Sequence, residues 1–321
     1  MASRFPARIE TIECPFAGAP LYLYLIRGDT GRMALIDSGI ADTPSRYVLP
    51  YLAGRGRSVS DLHTVIVTHA HHDHFGGNGE LFRANPNIAF MAPAAEMEWV
   101  EDGRRHFNEM YRSFPGEWEP DDAYEQTVIA WCGEGVPVAR GLSGGDTAIL
   151  DDSVSLAVHD IPAHSKGHLM LALEQEGVIF VGDALQGEGT RLSSGTTVFP
   201  LYDDVANYLH SLELVRRSNA EWVCTGHHGV LDRQAAEALL CQSERHALRH
   251  GEYVLRQLQD ASGALSLREL VGRLHEAHYP EYESAYQLHA TTYAFCRHLQ
   301  RQGQAKRIAE GGRLLWAAAA N

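Results

Sequence analysis

The sequence contains no apolar run approaching the ~18 residues needed to cross a bilayer, so a membrane span is excluded from the expectation. Lysine is nearly absent, with Lys166 and Lys306 the only two. The five cysteines, Cys14, Cys132, Cys224, Cys241 and Cys296, are odd in number and never fall in a CxxC spacing. A disulfide framework or thiolate cluster is therefore not expected, and reduced thiols are. The opening MASRFPARIETIECPF has no basic head followed by an apolar stretch, which predicts a cytoplasmic protein. Excess positive charge is also missing. Residues 1–230 hold 16 basic and 31 acidic side chains (16 − 31 = −15), and 231–321 hold 11 and 10 (11 − 10 = +1). The larger part would repel a polyanion, so a small-molecule substrate is favoured over nucleic acid.

What is present is an ordinary globular composition, 45% hydrophobic and 21% charged over 321 residues, enough for one large α/β unit and a small appendage. Short β-branched or aromatic runs alternate with helical stretches through the first 230 residues, the pattern of a mixed α/β sandwich. Strands are predicted at 21–26, 33–37, 64–67, 88–91, 156–158, 169–173, 178–181 and 222–224, and several stop at His, Asp or Gly. Polar residues gathered where apolar strands end point to a site built from loops at one edge of the sheets. Between 93 and 135 the pattern turns helical and aromatic-rich, with Trp99, Phe107, Tyr111, Phe114, Trp118, Tyr124 and Trp131. This reads as an insertion, either a small packed subdomain or a cover for the site. Residues 231–321 read as a second domain. Helices are expected over 233–259, 266–278 and 281–302, with Ser266 and Glu269 forming a capping box. A hairpin turning at Gly311-Gly312 follows, and the whole is winged-helix-like.

The chemistry concentrates in Thr68-His69-Ala70-His71-His72-Asp73-His74-Phe75-Gly76-Gly77, directly after a strand. Alternation in an extended segment points His69 and His71 the same way, while Asp73 and His74 fall in the turn beyond, so one loop can serve two adjacent metals. His72 is expected to point away, and His63 to be an ordinary strand histidine. Further donors stand at later strand ends: His164 in Pro162-Ala163-His164-Ser165-Lys166-Gly167-His168, Asp183 after Gly182, and the doubled His227-His228 after Gly226.

HxHxDH, then a histidine in a PxHxxGH turn, then GD, then GH, in that order, resembles the metallo-β-lactamase superfamily over about the first 230 residues. The resemblance implies an αββα sandwich. It puts His69, His71 and His164 on one metal and Asp73, His74 and His227 on a second, with Asp183 bridging. His227 fits better than His228 because it directly follows glycine. Ala163 departs from the usual glycine before the third histidine. Asp37, in an Asp-Ser-Gly turn, matches a position that orients ligands, and His168 reads as a supporting residue. Lys166 reads as a loop lysine that could meet an anionic group of the substrate. Nitrogen and oxygen donors without thiolate suit two Zn²⁺ per chain, with iron or manganese also compatible.

Such a site implies water activation by the metals, with Asp73 as the proton acceptor. The segment after Asp183 and the winged-helix-like tail resemble the β-lactamase-like-2 branch. Hydrolysis of an ester, thioester or lactone is the favoured reading, given the acidic charge and the insertion. A single-strand endoribonuclease using Arg297, Arg301, Lys306 and Arg307 is the alternative, and a partner- or nucleic-acid-binding protein with a vestigial site a third. A homodimer is also compatible with the tail.

Overall fold

The computed structural model describes residues 4–283 and 286–319. One sheet runs in spatial order β1 (Ile9–Glu13), β2 (Tyr22–Arg27), β3 (Met33–Ile36), β4 (Leu62–Ile66), β5 (Ala89–Pro93) and β6 (Arg140–Leu142), with β3 to β6 parallel. A second sheet begins with β7 (Thr147–Asp151), β8 (Val154–Asp160), β9 (Leu169–Leu173) and β10 (Val178–Phe180). The chain then leaves it to form a ribbon of β11 (Thr190–Arg191) and β12 (Thr197–Val198). It returns as β13 (Trp222–Thr225) and β14 (Gly229–Asp232), giving the order β14-β13-β10-β9-β8-β7.

Side-chain alternation decides the layering. In β9, Leu169, Leu171 and Leu173 join Tyr24, Ile26, Ile36 and Ile66 of the first sheet in one buried cluster. Met170 and Ala172 face the other way, into a cluster with Val205, Leu212 and Leu240 of the covering helices. On the outer side of the first sheet, Leu23, Leu35 and Val65 pack against Val48, Leu52 and Leu81. Helix, sheet, sheet and helix layers follow, as the resemblance implies.

Residues 94–132 form the expected helical insertion, with helices Met97–Glu101, Gly103–Tyr111 and Asp122–Cys132. Its core of Trp99, Phe107, Met110, Tyr111 and Val128 is continuous with Val67, Ala70 and Phe75 beside the His69 loop. The two expectations for it merge, because it is packed internally and against the site.

The C-terminal helices are Arg233–Asp260, Leu267–His278 and Tyr286–Arg301, and the Ser266–Glu269 capping box is present. Strand β15 (Leu265–Ser266) joins β17 (Ala305–Glu310) and β18 (Arg313–Ala318) in a small sheet, the latter two linked through Gly311-Gly312. One expectation needs correcting: the last helix does not begin near 281. Tyr282–Glu283 is instead strand β16, paired in parallel with β12, so a tertiary pairing takes the residues a local reading gave to the helix. Among the described residues, no helix is long and apolar enough to cross a membrane.

Ile179, Val181 and Val223 of the second sheet share one buried cluster with Leu240, Leu288, Phe295 and Trp316. A chain cut after residue 230 would expose that sheet face to water. We expect fragment 1–230 to show no cooperative thermal transition by circular dichroism, whereas the full chain unfolds cooperatively.

Candidate metal centre

The strand directions assemble the site. Strands β8, β10 and β13 run parallel to one another in the second sheet, so their C-terminal ends share an edge. His164 follows β8, Asp183 follows β10 and His227 follows β13, while β4 of the first sheet delivers the His69–His74 loop to the same place. Donor atoms of His69, His71 and His164 lie within 4.8 Å of one another, as do those of Asp73, His74 and His227. A third such set is His69, His74 and Asp183. Asp183 stands between the first two groups. Its Oδ2 is 3.6 Å from His164 Nε2 and 3.1 Å from His227 Nε2, and its Oδ1 is 3.4 Å from His74 Nε2.

Four of the five imidazoles are held through Nδ1. His164 bonds the Leu201 carbonyl at 3.1 Å and His227 the Pro20 carbonyl at 2.6 Å. His74 bonds Asp37 Oδ2 at 2.9 Å. His69 meets Thr68 Oγ1 at 3.1 Å, and that hydroxyl donates to Asp37 Oδ2 at 2.9 Å. Donation from Nδ1 to a carbonyl or carboxylate leaves the Nε2 lone pair free for a cation. His71 is the exception, presenting Nδ1 at 3.1 Å from His69 Nε2. Asp37 also accepts the Thr68 backbone N–H at 2.7 Å, so one buried carboxylate fixes both the start of the loop and one candidate ligand. It does so with φ at 60°, a conformation Asp tolerates better than most residues.

Burial holds His69, His71 and His164 below the ordinary imidazole value, so they stand neutral, as ligands must. Burial works the same way on His74 and His227, but Asp183, with Asp37 and Asp73 for the former and Asp73 for the latter, outweighs it. His74 is driven well up and His227 up to about 10. The Asp73 and Asp183 carboxyls resist burial and are pulled down by the same histidines. Protons therefore occupy the place a cation would take. His74 Nε2 and Asp183 Oδ1 are both buried and meet each other at 3.4 Å without a well-formed hydrogen bond. Buried polar atoms so poorly satisfied at the meeting point of a nitrogen and oxygen donor set fit a divalent metal.

Close packing explains the glycines. A Cβ on Gly226 would lie 2.3 Å from Asp183 Oδ1 and 2.9 Å from the His74 ring, so the residue before His227 must lack one. Ala163, the departure noted in the sequence, is fully buried and does not displace His164 from the set. His227 takes its place among the donors, while His228 has a buried Nε2 without a partner and is held down by burial to about 4.

Three supporting positions are clarified. His168 stacks on His69 at 4.5 Å and bonds the Val181 carbonyl at 2.9 Å. Lys166 is exposed, with Nζ 4.0 Å above the Trp99 ring. It lines a groove of about 210 Å³ that shares His71 and His164 with the main cavity. His63 bonds the Asp61 carbonyl from its strand. His72 corrects an expectation, since it does not point away. It stacks on Trp131 at 5.2 Å, meets Tyr111 Oη at 3.3 Å and lines the cavity, because the short helix His72–Phe75 breaks the alternation that the reading assumed.

That cavity, about 410 Å³, is walled by Phe16, Met110, Tyr111, Tyr124, Trp131 and Leu201 among others, and His71, Asp73, His164, Asp183 and His227 open onto it. Glu96, at the start of the insertion, was not anticipated. Its buried carboxylate accepts the Ala70 N–H at 2.7 Å and the Gly167 N–H at 2.8 Å, joining the two donor loops. No spacing in the sequence signals it.

A profile of the metallo-beta-lactamase superfamily matches residues 21–227, well over half the chain, and the protein belongs to that superfamily. It is 25% identical over 254 residues to an atrochrysone carboxyl ACP thioesterase of Aspergillus fumigatus, covering 77% of this chain and 65% of that protein. It is 25% identical over 223 residues to a beta-lactamase-like protein 2 homolog of Caenorhabditis elegans, covering 68% and 59%. A hydroxyacylglutathione hydrolase of Synechococcus is 30% identical over 177 residues, covering 54% and 53%. The chain thus spans less than two thirds of the length of each. Among solved structures, a metallo-beta-lactamase family protein of Thermus thermophilus matches with a TM-score of 0.75 at 22% identity over 98% of this chain and all of that one. A beta-lactamase domain protein of Burkholderia ambifaria matches with 0.71 at 19%, covering 99% and 93%. Both likenesses concern the fold.

Replacing Glu96 by glutamine would set an amide NH₂ against one of the two backbone donors. We expect Glu96→Gln to lower unfolding free energy by about 1–3 kcal/mol, measured by urea denaturation of the metal-free chain.

Proposed function

We propose that this protein is a dinuclear metal-dependent hydrolase of a small carboxylic-acid derivative, an ester, thioester or lactone, with a bulky apolar acyl group. The observation that carries the reading is the convergence of seven nitrogen and oxygen donors in three overlapping sets, five of the seven lining an aromatic-walled cavity. His69, His71 and His164 would hold one ion, Asp73, His74 and His227 the second, and Asp183 would reach both. Zinc suits this donor set, with iron or manganese as the other candidates. When bound, such ions supply Lewis acidity and lower the pKa of water.

The remaining roles belong to the chain. Asp73, whose Oδ2 lies 3.3 Å from His227 Nε2, faces the cavity and would accept the proton of the attacking water at its carboxylate. Tyr111, Tyr124, Trp131 and Met110 exclude bulk water and offer a surface to an apolar acyl group. The names of the fungal carboxyl ACP thioesterase and the hydroxyacylglutathione hydrolase support a carboxyl derivative over a phosphodiester. The endoribonuclease alternative draws less support. Arg301 is engaged with Asp204 at 2.7 Å, and the insertion walls the cavity that a long polymer would have to enter. Because all seven donors converge, a vestigial site is also less well supported. We regard 1–230 and 231–321 as the two domains, the second winged-helix-like in its order of helix, strand, helix, short strand, helix and hairpin.

Purified protein is expected to carry about two equivalents of metal by elemental analysis and to hydrolyse aryl esters or thioesters in a chelator-sensitive way; chelator-insensitive turnover would refute the proposal. Asp73→Asn should lose roughly 10²-fold or more in kcat, and the same variant at full metal content and full rate would remove its assigned role. Trp131→Ala should lower kcat/KM for a naphthoyl or benzoyl ester by ~10-fold or more while changing an acetyl ester little, as measured by steady-state kinetics on the two substrates.

A further inference from the structure

The helix Tyr286–Arg301 reaches the centre without placing a side chain in either donor set. We propose that Thr291 on this helix is a positioning residue for His164, acting through the backbone of Pro200–Tyr202. Thr291 is fully buried. Its Oγ1 accepts the Tyr202 N–H at 3.0 Å and donates to the Pro200 carbonyl at 2.8 Å, bracketing Leu201 from both sides. The Leu201 carbonyl is the acceptor that orients His164 Nδ1 at 3.1 Å. Gln186 closes the remaining freedom, its Nε2 donating to that same carbonyl at 2.7 Å and its Oε1 accepting the Leu201 N–H at 2.8 Å.

Each backbone polar group from the Pro200 carbonyl to the Tyr202 N–H is therefore tied to a side chain. This segment lies in no helix or strand, so nothing regular fixes the direction of the Leu201 carbonyl. An imidazole that donates to a carbonyl follows it when it turns, and Nε2 at the far side of the ring moves with it. A hydroxyl suits the task because one oxygen accepts from the Tyr202 N–H while donating to the Pro200 carbonyl. The helix also touches the opposite wall, where Tyr286 lies 4.7 Å from Tyr111 and 5.4 Å from Trp118. The C-terminal region thus braces both the floor and the roof of the cavity.

The inference rests on the reading of His164 as a metal ligand, and cobalt substitution tests both separately. Thr291→Val keeps shape and branching but leaves the Tyr202 N–H and Pro200 carbonyl unpaired. The expected result is a changed visible absorption spectrum of the cobalt-loaded protein and a ~10-fold or greater loss of metal affinity in competition with a chromogenic chelator, both restored in Thr291→Ser. Leu299→Ala, buried in the core cluster two turns further along the helix, reports general loosening; it should lower the melting temperature without changing the spectrum. The inference alone is overturned if the parent binds cobalt and Thr291→Val matches it in spectrum and affinity. It is likewise overturned if Thr291→Ser fails to restore them or if Leu299→Ala alters them equally. A parent that takes up no cobalt overturns the metal reading and this inference with it.

Discussion

Two carboxylates and five imidazoles cannot share a pocket shielded from water unless positive charge stands among them. In the metal-free chain that charge is a proton on His74 and on His227, each held by the neighbouring aspartates against the cost of burial. A divalent cation would displace those protons and take the place of the long 3.4 Å contact between His74 Nε2 and Asp183 Oδ1, neither of which makes a well-formed hydrogen bond. The rest of the structure is organised around keeping the donors together despite that electrostatic cost. Such an arrangement persists only where surrounding structure fixes it.

The fixing is done from several directions. Asp37 binds the Thr68 backbone and His74, Glu96 joins the Ala70 and Gly167 amides, Pro20 anchors His227, and Leu201 anchors His164. These supports come from the first sheet, the insertion, the N-terminal loop and the segment before the helix Val205–Arg217. The site is therefore the place where separate parts of the chain meet, and its stability and the stability of the fold are linked. Elements outside the sandwich are joined to it for the same reason: the insertion shares its core with the His69 loop, and the C-terminal helices share theirs with the second sheet.

How much of this the sequence discloses depends on the range of each interaction. The His69–His74 run is legible because so many imidazoles in one loop have no ordinary structural use. The later donors are legible because each stands where an apolar strand stops. Central strands such as Leu169–Leu173 announce themselves, whereas the edge strands Ile9–Glu13 and Thr147–Asp151, which bury only two residues each, do not. Glu96 and Thr291 leave no local mark, since their meaning lies in backbone groups 26 and 89 residues away. His72 joins neither donor set, as expected, but its direction is not legible for a related reason: extended alternation holds to His71 and then gives way to a helical turn.

The same division bears on how the protein could select its substrate. Side chains that hold the site together are not free to vary, because Tyr111 and Leu201 are buried in the insertion core. Trp131, Tyr124, Leu192 and Gln287 also line the cavity, yet none of them is fully buried, and none supplies a hydrogen bond to a donor loop through its side chain. These positions can change shape and polarity without loosening a candidate ligand. Under the proposed hydrolysis of a carboxyl derivative, selectivity for the acyl group would rest on the insertion, the β11–β12 ribbon and the start of the last helix rather than on the sandwich that carries the seven donors.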